Sequence, residues 1–242
     1  MGEQRYNVGV IGYGWASGAH IAAINATSQA RVTAVYSSRE LNPAELSARH
    51  GSPIQVFRDL PAFLGQPDLH VVSVCSYPQH HARHAIEAAR AGKHLIIEKP
   101  LALNWQDCMN VQHAVQAAGV KTCVCFECRF SSQFRTIKSI IDRGLLGKIH
   151  YGEVDYYHGI GPGYGQYRWN IKKESGGSSL LSAGCHALDA LLFCMGEDVE
   201  VVSSYSTHSA NHDFARYEYP TTSVTILKFK DGRVGKVASV LD

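Results

Sequence analysis

The stretch "GKHLIIEKPLA", residues 92–102, combines the pattern of a buried strand with an abrupt charged ending. Residues 94–97 carry the apolar, β-branched character of a strand that is covered on both faces. Glu98, Lys99 and Pro100 follow at once, and proline neither donates to a sheet nor favours helix in the residue before it. Open α/β sheets bind ligands at the carboxyl ends of their strands. The stretch therefore predicts either a ligand-facing Glu–Lys pair or a solvated turn with an incidental ion pair.

The flanking sequence extends this strand into a regular series. Strand patterns at 6–12, 31–37, 68–76, 94–98 and 121–127 alternate with helix patterns at 16–27, 43–51, 81–92 and 105–119. This alternation predicts a doubly wound parallel sheet with helices on both faces, over residues 1–127. Beyond it, strand patterns joined by loops predict an α+β domain with a mostly antiparallel, open sheet over residues 128–242. The last strand pattern is still apolar at residue 241, so we expect this second domain to be incomplete.

Composition narrows the class of protein. The chain has 242 residues, 45% hydrophobic and 18% charged, with a net charge of +2, which is typical of a globular protein. It contains no basic run and no apolar run that we expect to span a bilayer, so we predict neither a nucleic-acid nor a membrane partner. Seven cysteines in strand-like contexts favour reduced thiols and a cytoplasmic location.

The first strand pattern ends in a glycine-rich turn. "VIGYGWAS" places Gly12 and Gly14 directly before a helix, where a tight turn and a bare backbone admit a pyrophosphate. Trp15 and Ser17 belong to the same candidate dinucleotide site. The second strand ends in Ser37, Ser38 and Arg39, where an acid usually binds the ribose of NAD. Two hydroxyls and a guanidinium favour NADP, although Glu40 leaves NAD open.

The Gly-x-Gly turn, "AGKHLIIEKPLA" and "GGSSLLSAGCHALD" together resemble the glucose–fructose oxidoreductase/inositol dehydrogenase/MocA-like (Gfo/Idh/MocA) family. The resemblance implies an N-terminal Rossmann domain and a C-terminal domain whose open sheet forms a homodimer or homotetramer. It also implies an NAD(P)-dependent oxidoreductase that acts on a carbinol or carbonyl of a sugar, cyclitol or related polyol. Lys99 and His186 match the family's catalytic lysine and histidine.

Two positions depart from the family pattern. Ser182 stands where the family has an aspartate, four residues before His186, and Ser76–Tyr77 begin a loop that is usually Thr-Pro-Asn. The departures leave two alternatives open: an NAD-dependent glycoside hydrolase that oxidises its substrate transiently, and a non-catalytic dinucleotide-sensing regulator. The resemblance also implies cofactor contacts from the remaining loop residues, Ser76, Tyr77, His81, Glu98, Lys99 and Pro100.

Several residues could serve the substrate or a metal. Aromatic and cationic side chains suit polyols, so the candidate substrate residues are Arg129, Tyr167, Arg168, Trp169, Lys172 and Ser182. Cys123, Cys125 and Cys128 are interpreted as small buried hydrophobes and not as metal ligands. His20 is interpreted as packing, and "HHARH" at 80–84 as helix capping and solvated helix surface. The turn at Lys99–Pro100 predicts a cis peptide bond.

Overall fold

The computed structural model describes residues 5–242, which divide into two compact units on either side of the bond between Cys125 and Phe126. The strands of the first unit are β1 (Tyr6–Ile11), β2 (Ala30–Tyr36), β3 (Gln55–Phe57), β4 (Val71–Val74), β5 (His94–Ile97) and β6 (Thr122–Val124). Its helices are α1 (Trp15–Asn25), α2 (Pro43–His50), α3 (Leu60–Leu64), α4 (Pro78–Arg90) and α5 (Trp105–Ala118).

The six strands form one parallel sheet in the order β3-β2-β1-β4-β5-β6. Each face is buried by its own core. One core joins Val10 of β1 to Ile21 of α1 and Leu46 of α2, and the other joins Val72 of β4 to Ala85 of α4. The strand order reverses direction between β1 and β4, which makes the ends of these two strands the switch point of the sheet. The predicted fold class is confirmed for this unit.

Local sequence signals explain the helix ends. Asn42 caps α2 with its side-chain oxygen, Pro43 occupies the first helical position, and Gly51 ends the helix at φ +65°. The strand patterns at 68–76 and 121–127 were too long. The first strand is only Val71–Val74, and Glu127–Phe130 form a 3₁₀ helix instead of continuing β6.

The second unit contains β7 (Tyr151–Tyr157), β8 (Val199–Thr207), β9 (Thr222–Phe229) and β10 (Val234–Val240). Its helices are α6 (Ser132–Asp142), α7 (Tyr167–Asn170), α8 (Lys173–Gly176) and α9 (Cys185–Met195). A π-helical turn, Leu180–Gly184, leads into α9, and a 3₁₀ helix spans His212–Phe214. Residues 160–177, expected to be a loop, thus include two short helices.

The second sheet has the order β7-β10-β9-β8, in which only the β7–β10 pair is parallel. The strand patterns at 221–232 and 233–242, joined at Lys-Asp-Gly, predict a hairpin, and β9 and β10 confirm it. Leu191 of α9 packs against Phe229 and Val237 on one face of the sheet. On the opposite face Tyr205 of β8 is 82% exposed and pairs with Val224 of β9. The sheet is therefore open on one side, as predicted.

One helical stretch, Lys173–Met195, is long and apolar enough to cross a membrane, contrary to our expectation. Half of it is buried inside the protein, and Ala187, Leu191 and Met195 belong to the core of the second unit. This burial is what the core helix of a globular domain shows. The seven cysteines are all free thiols, as expected.

Candidate dinucleotide and catalytic sites

The turn after β1 is shaped by two glycines with different tasks. Gly12 has φ +90°, and a Cβ atom there would lie 2.8 Å from the carbonyl oxygen of Cys75 at the end of β4. Gly14 is the N-cap residue that precedes α1, and a Cβ atom there would meet nothing within 4 Å. The hydroxyl of Ser17 is buried and bonds both the N–H and the carbonyl of Gly14, at 2.9 and 2.8 Å. Its side chain therefore rigidifies the turn, whereas Trp15 is 81% exposed. Cofactor contacts by both residues stay predictions.

The end of β2 carries more positive charge than the sequence suggested. The guanidinium of Arg39 donates to the carbonyl oxygen of Tyr13, within the glycine turn. Ser37 is buried and its hydroxyl accepts from the Arg39 N–H at 3.1 Å, so it positions Arg39; its own contact with a ribose stays a prediction. Ser38 is exposed, and its carbonyl lies 3.4 Å from a guanidinium nitrogen of Arg58. Arg58, which the sequence analysis missed, adds a second cation beside Ser38.

The loop after β4 lies over two histidines that were assigned to the helix surface. Both nitrogens of His81 face carbonyl oxygens, of Pro100 at 2.7 Å and of Ser76 at 2.8 Å, and the ring is 1% exposed. His84 is also buried and bonds the Ser76 hydroxyl at 2.9 Å, and burial lowers the pKa of His84 to about 3. The surface interpretation is wrong for both. His81 supports the loop through both ring nitrogens, whereas Tyr77 is 43% exposed. Cofactor contacts by both residues stay predictions.

Glu98 and Lys99 leave the carboxyl end of β5. Glu98 bonds Nε2 of His20 at 2.8 Å, and Nδ1 of the same ring bonds the hydroxyl of Ser73 at 2.8 Å. Hydrogen bonds to Cys75 and to Glu98 raise the pKa of His20 to about 10. His20 is thus an ion-pair partner of Glu98 and not mere packing. The Lys99–Pro100 bond is cis, as predicted, and Lys99 is half-buried.

The cysteines near the end of β6 are not buried hydrophobes. Cys123 is exposed, whereas Cys125 and Cys128 are half-buried. A hydrogen bond with Cys125 lowers the pKa of Cys123 to about 6, whereas the same contact raises the pKa of Cys125. Cys123 is therefore the more acidic thiol of the two.

His186 lies in the first turn of α9, in the second unit. Its ring stacks on Tyr156 at 6.1 Å between centroids, and its Nδ1 lies 3.8 Å from a carboxylate oxygen of Glu127. The side chain of His186 is 12% exposed, whereas that of Glu127 is 70% exposed. Ser182 hydrogen-bonds Tyr219, whose pKa burial raises to about 12. The turn that carries Ser182 is therefore tied to the core through a neutral phenol.

Most of the predicted substrate residues have structural partners. Arg129 forms a bidentate ion pair with the buried Asp189, at 2.7 to 3.0 Å, which explains Asp189 without reference to His186. Tyr167 is buried and donates to the carbonyl of Asp213 at 2.8 Å, and Lys172 pairs with Glu218 at 2.6 Å. These three residues thus have partners within the protein, and their contact with a substrate stays a prediction. Arg168 is exposed and Trp169 half-buried.

The first unit fits a dinucleotide. The turn at Gly12 and Gly14 and the loop at Ser76 both lie at the switch point of the sheet, where doubly wound folds bind nucleotides. The open space at Gly14 and the N-terminus of α1 suit a pyrophosphate, and Arg39 and Arg58 suit a further phosphate. These features define a dinucleotide-binding protein of the Rossmann class.

The chain belongs to the Gfo/Idh/MocA family. The family model described as "Oxidoreductase family, NAD-binding Rossmann fold" matches residues 6–126, and the Gfo/Idh/MocA C-terminal domain matches residues 134–241. The family resemblance inferred from the sequence is confirmed.

Similar proteins include dehydrogenases of cyclitols and sugars. Myo-inositol 2-dehydrogenase of Thermotoga maritima is 26% identical over 95% of this chain and 67% of its own length. The NADP⁺-dependent scyllo-inositol 2-dehydrogenase IolW of Bacillus subtilis is 25% identical over 88% of this chain and 58% of its own length. Among solved structures, levoglucosan dehydrogenase in complex with NADH has a TM-score of 0.87 at 26% identity, covering 98% of this chain and 67% of that one. The chain spans about half to two thirds of the length of the curated relatives it matches.

Proposed function

We propose that this chain binds NAD(P) and belongs to an oxidoreductase that transfers a hydride between the nicotinamide and a carbinol or carbonyl of a sugar, cyclitol or related polyol. The observation that carries the proposal is the placement of Lys99. It leaves β5 at the carboxyl edge of the sheet, the same edge that holds the Gly12–Gly14 turn and the Ser76 loop. The names of the related dehydrogenases support this substrate class.

The proposed chemistry divides between binding and proton transfer. The backbone N–H groups at the start of α1 and Gly14 bind the pyrophosphate, and the bound dinucleotide supplies the hydride acceptor or donor. The ammonium of Lys99 stabilises negative charge on the reacting oxygen. We assign proton exchange to His186, because its Nδ1 lies 3.8 Å from the Glu127 carboxylate and its ring stacks against Tyr156.

We propose that NADP(H) is the preferred cofactor. Arg39 and Arg58 lie beside Ser38, where the ribose of the adenosine half falls in Rossmann folds. A 2′-phosphate would meet two guanidinium groups there, whereas the ribose of NAD would lack its usual acid partner; Glu40 is exposed nearby.

We also propose a homodimer or homotetramer formed through the open face of the second sheet, in the cytoplasm. The support is the apolar outer face, where Tyr205 is 82% exposed and Ile226 41% exposed. Free cysteines agree with a reducing compartment.

A dehydrogenase screen tests the proposed reaction. The chain is incubated with NADP⁺ or NAD⁺ and a panel of inositols, glucosides and anhydrosugars, and absorbance at the wavelength of the reduced nicotinamide is followed. The proposal expects turnover that Lys99→Met abolishes without loss of cofactor binding. Cofactor binding with no turnover on any panel member by a chain of the relatives' full length would contradict it.

A further inference from the structure

We propose that the carboxyl edge of the first sheet binds one divalent metal ion, Zn²⁺ by its ligand chemistry, with His20, Glu98 and Cys125 as ligands. One ligand atom from each of these residues lies within 4.8 Å of the other two. Imidazole nitrogen, carboxylate oxygen and thiolate sulfur are the three donor types that Zn²⁺ takes in proteins. Glu98 precedes Lys99, so the site adjoins that of the proposed oxidoreductase reaction, but metal binding can be measured without dinucleotide or substrate.

The fold brings these ligands together from distant parts of the chain. The Cys125 N–H donates to the Ile97 carbonyl at 2.8 Å, so the residues that follow β5 and β6 lie side by side at the sheet edge. Helix α1 packs over this edge and adds His20, which is 78 residues from Glu98. Three separate elements thus converge on one point.

The separations of the three ligand atoms bracket those of a bound ion. At metal–ligand distances of about 2.0–2.3 Å, the ligands of a tetrahedral Zn²⁺ lie roughly 3.3–3.6 Å apart. His20 Nε2 and Glu98 Oε1 are 2.8 Å apart because they share a proton, and all three ligand atoms lie within 4.8 Å of one another. Metal binding releases such protons, and side-chain rotation would then bring the ligand atoms to the separations of a bound ion.

Surrounding groups already orient the ligands. The hydroxyl of Ser73 holds His20 Nδ1 at 2.8 Å, which points Nε2 at the site. The backbone N–H of Lys99 contacts the second carboxylate oxygen of Glu98 at 3.2 Å. Such partners fix ring and carboxylate orientation in metal sites.

Two rival arrangements must be separated by experiment. His20 and Glu98 could form a simple ion pair that binds no metal. In the second unit Glu127, Cys128 and His186 also lie within 4.8 Å of one another and could hold the ion instead.

The full chain, kept reduced and stripped of metal by chelation, is titrated with Co²⁺ as an optical probe and then with Zn²⁺. We expect one equivalent of Co²⁺, a thiolate-to-Co²⁺ charge-transfer band, and displacement by Zn²⁺. Cys125→Ser removes the charge-transfer band. Cys125→Ser and His20→Asn each weaken Co²⁺ binding by at least about 100-fold, because loss of a group that merely supports a ligand already costs 10–100-fold. Cys108→Ser, at a half-buried cysteine on α5, and Cys128→Ser leave binding unchanged.

Absence of a thiolate band in the unsubstituted chain would overturn the proposal, as would a band that survives Cys125→Ser or disappears in Cys128→Ser. Circular dichroism checks the fold of each variant. If Cys125→Ser does not fold, Cys125→His decides, because it should retain Zn²⁺ without the thiolate band, and loss of Zn²⁺ from folded Cys125→His would also count against the site. These readouts need neither dinucleotide nor substrate, so failure of the oxidoreductase proposal leaves them interpretable.

Discussion

Arg39 provides the sharpest test of cofactor preference. Its guanidinium reaches the carbonyl of Tyr13 across the glycine turn, and Arg58 lies beside the neighbouring Ser38. A hydrogen bond to a charged group contributes about 1.5–3 kcal/mol net, which corresponds to roughly 10- to 150-fold in affinity. We therefore expect Arg39→Ala to weaken NADP⁺ binding by about this factor. NAD⁺ has no 2′-phosphate for Arg39 to bind. Its affinity should therefore change less than about threefold, which is the usual size of an exposed ion-pair contribution.

Calorimetric titration of the unsubstituted chain and the variant with both cofactors measures the difference. Arg31→Ala is the matched control, because Arg31 is an exposed arginine at the start of β2, the strand that leads to Arg39, and its guanidinium bonds Asn7. Added salt should reduce the advantage of NADP⁺ over NAD⁺, since salt weakens the attraction between solvent-exposed charges. Equal losses for both cofactors, or an Arg39→Ala variant that binds NADP⁺ normally, would refute the proposed phosphate site.

The remaining predictions concern catalysis, assembly and pH. Lys99→Met and His186→Asn should each lower kcat by roughly 10²–10⁴-fold on an identified substrate while dinucleotide affinity by fluorescence titration stays constant; near-normal turnover in both would rule out the assignment. Tyr205→Glu should convert a dimer to a monomer in sedimentation equilibrium, because an unpaired charge in an interface costs about 3–5 kcal/mol, whereas Tyr6→Glu on the first unit should not; an unchanged mass for Tyr205→Glu would exclude this face. In metal-free protein the raised pKa of His20, about 10 against 6.5 unfolded, adds stability that is complete below pH 6.5 and lost as the pH approaches 10. Urea unfolding should therefore show that His20→Gln destabilises the chain more at pH 6 than at pH 10.5, and equal losses at both values would argue against the ion pair.

Sequence patterns alone determined the architecture of both units. Periodicity, capping residues and the Gly12–Gly14 turn are local properties, so the parallel sheet, the limits of α2 and the hairpin of β9 and β10 could be predicted directly. The motif around Lys99 and Pro100 likewise identified the family before any contact was known. Strand ends were less predictable, because an apolar run does not itself mark the residue at which pairing with the neighbouring strand stops.

Tertiary structure decided which partners the polar side chains have. Arg129 and Lys172 have the right chemistry for a polyol. In the structure Arg129 forms an ion pair with Asp189, 60 residues away along the chain, and Lys172 forms one with Glu218, 46 residues away. His20 gave only the signal of a helical position facing the sheet, and its pairing with Glu98 depends on how α1 packs across β4 and β5. Such pairings arise between residues far apart in sequence, and the free energy that selects them comes from burial and charge in the folded chain, which no local pattern contains.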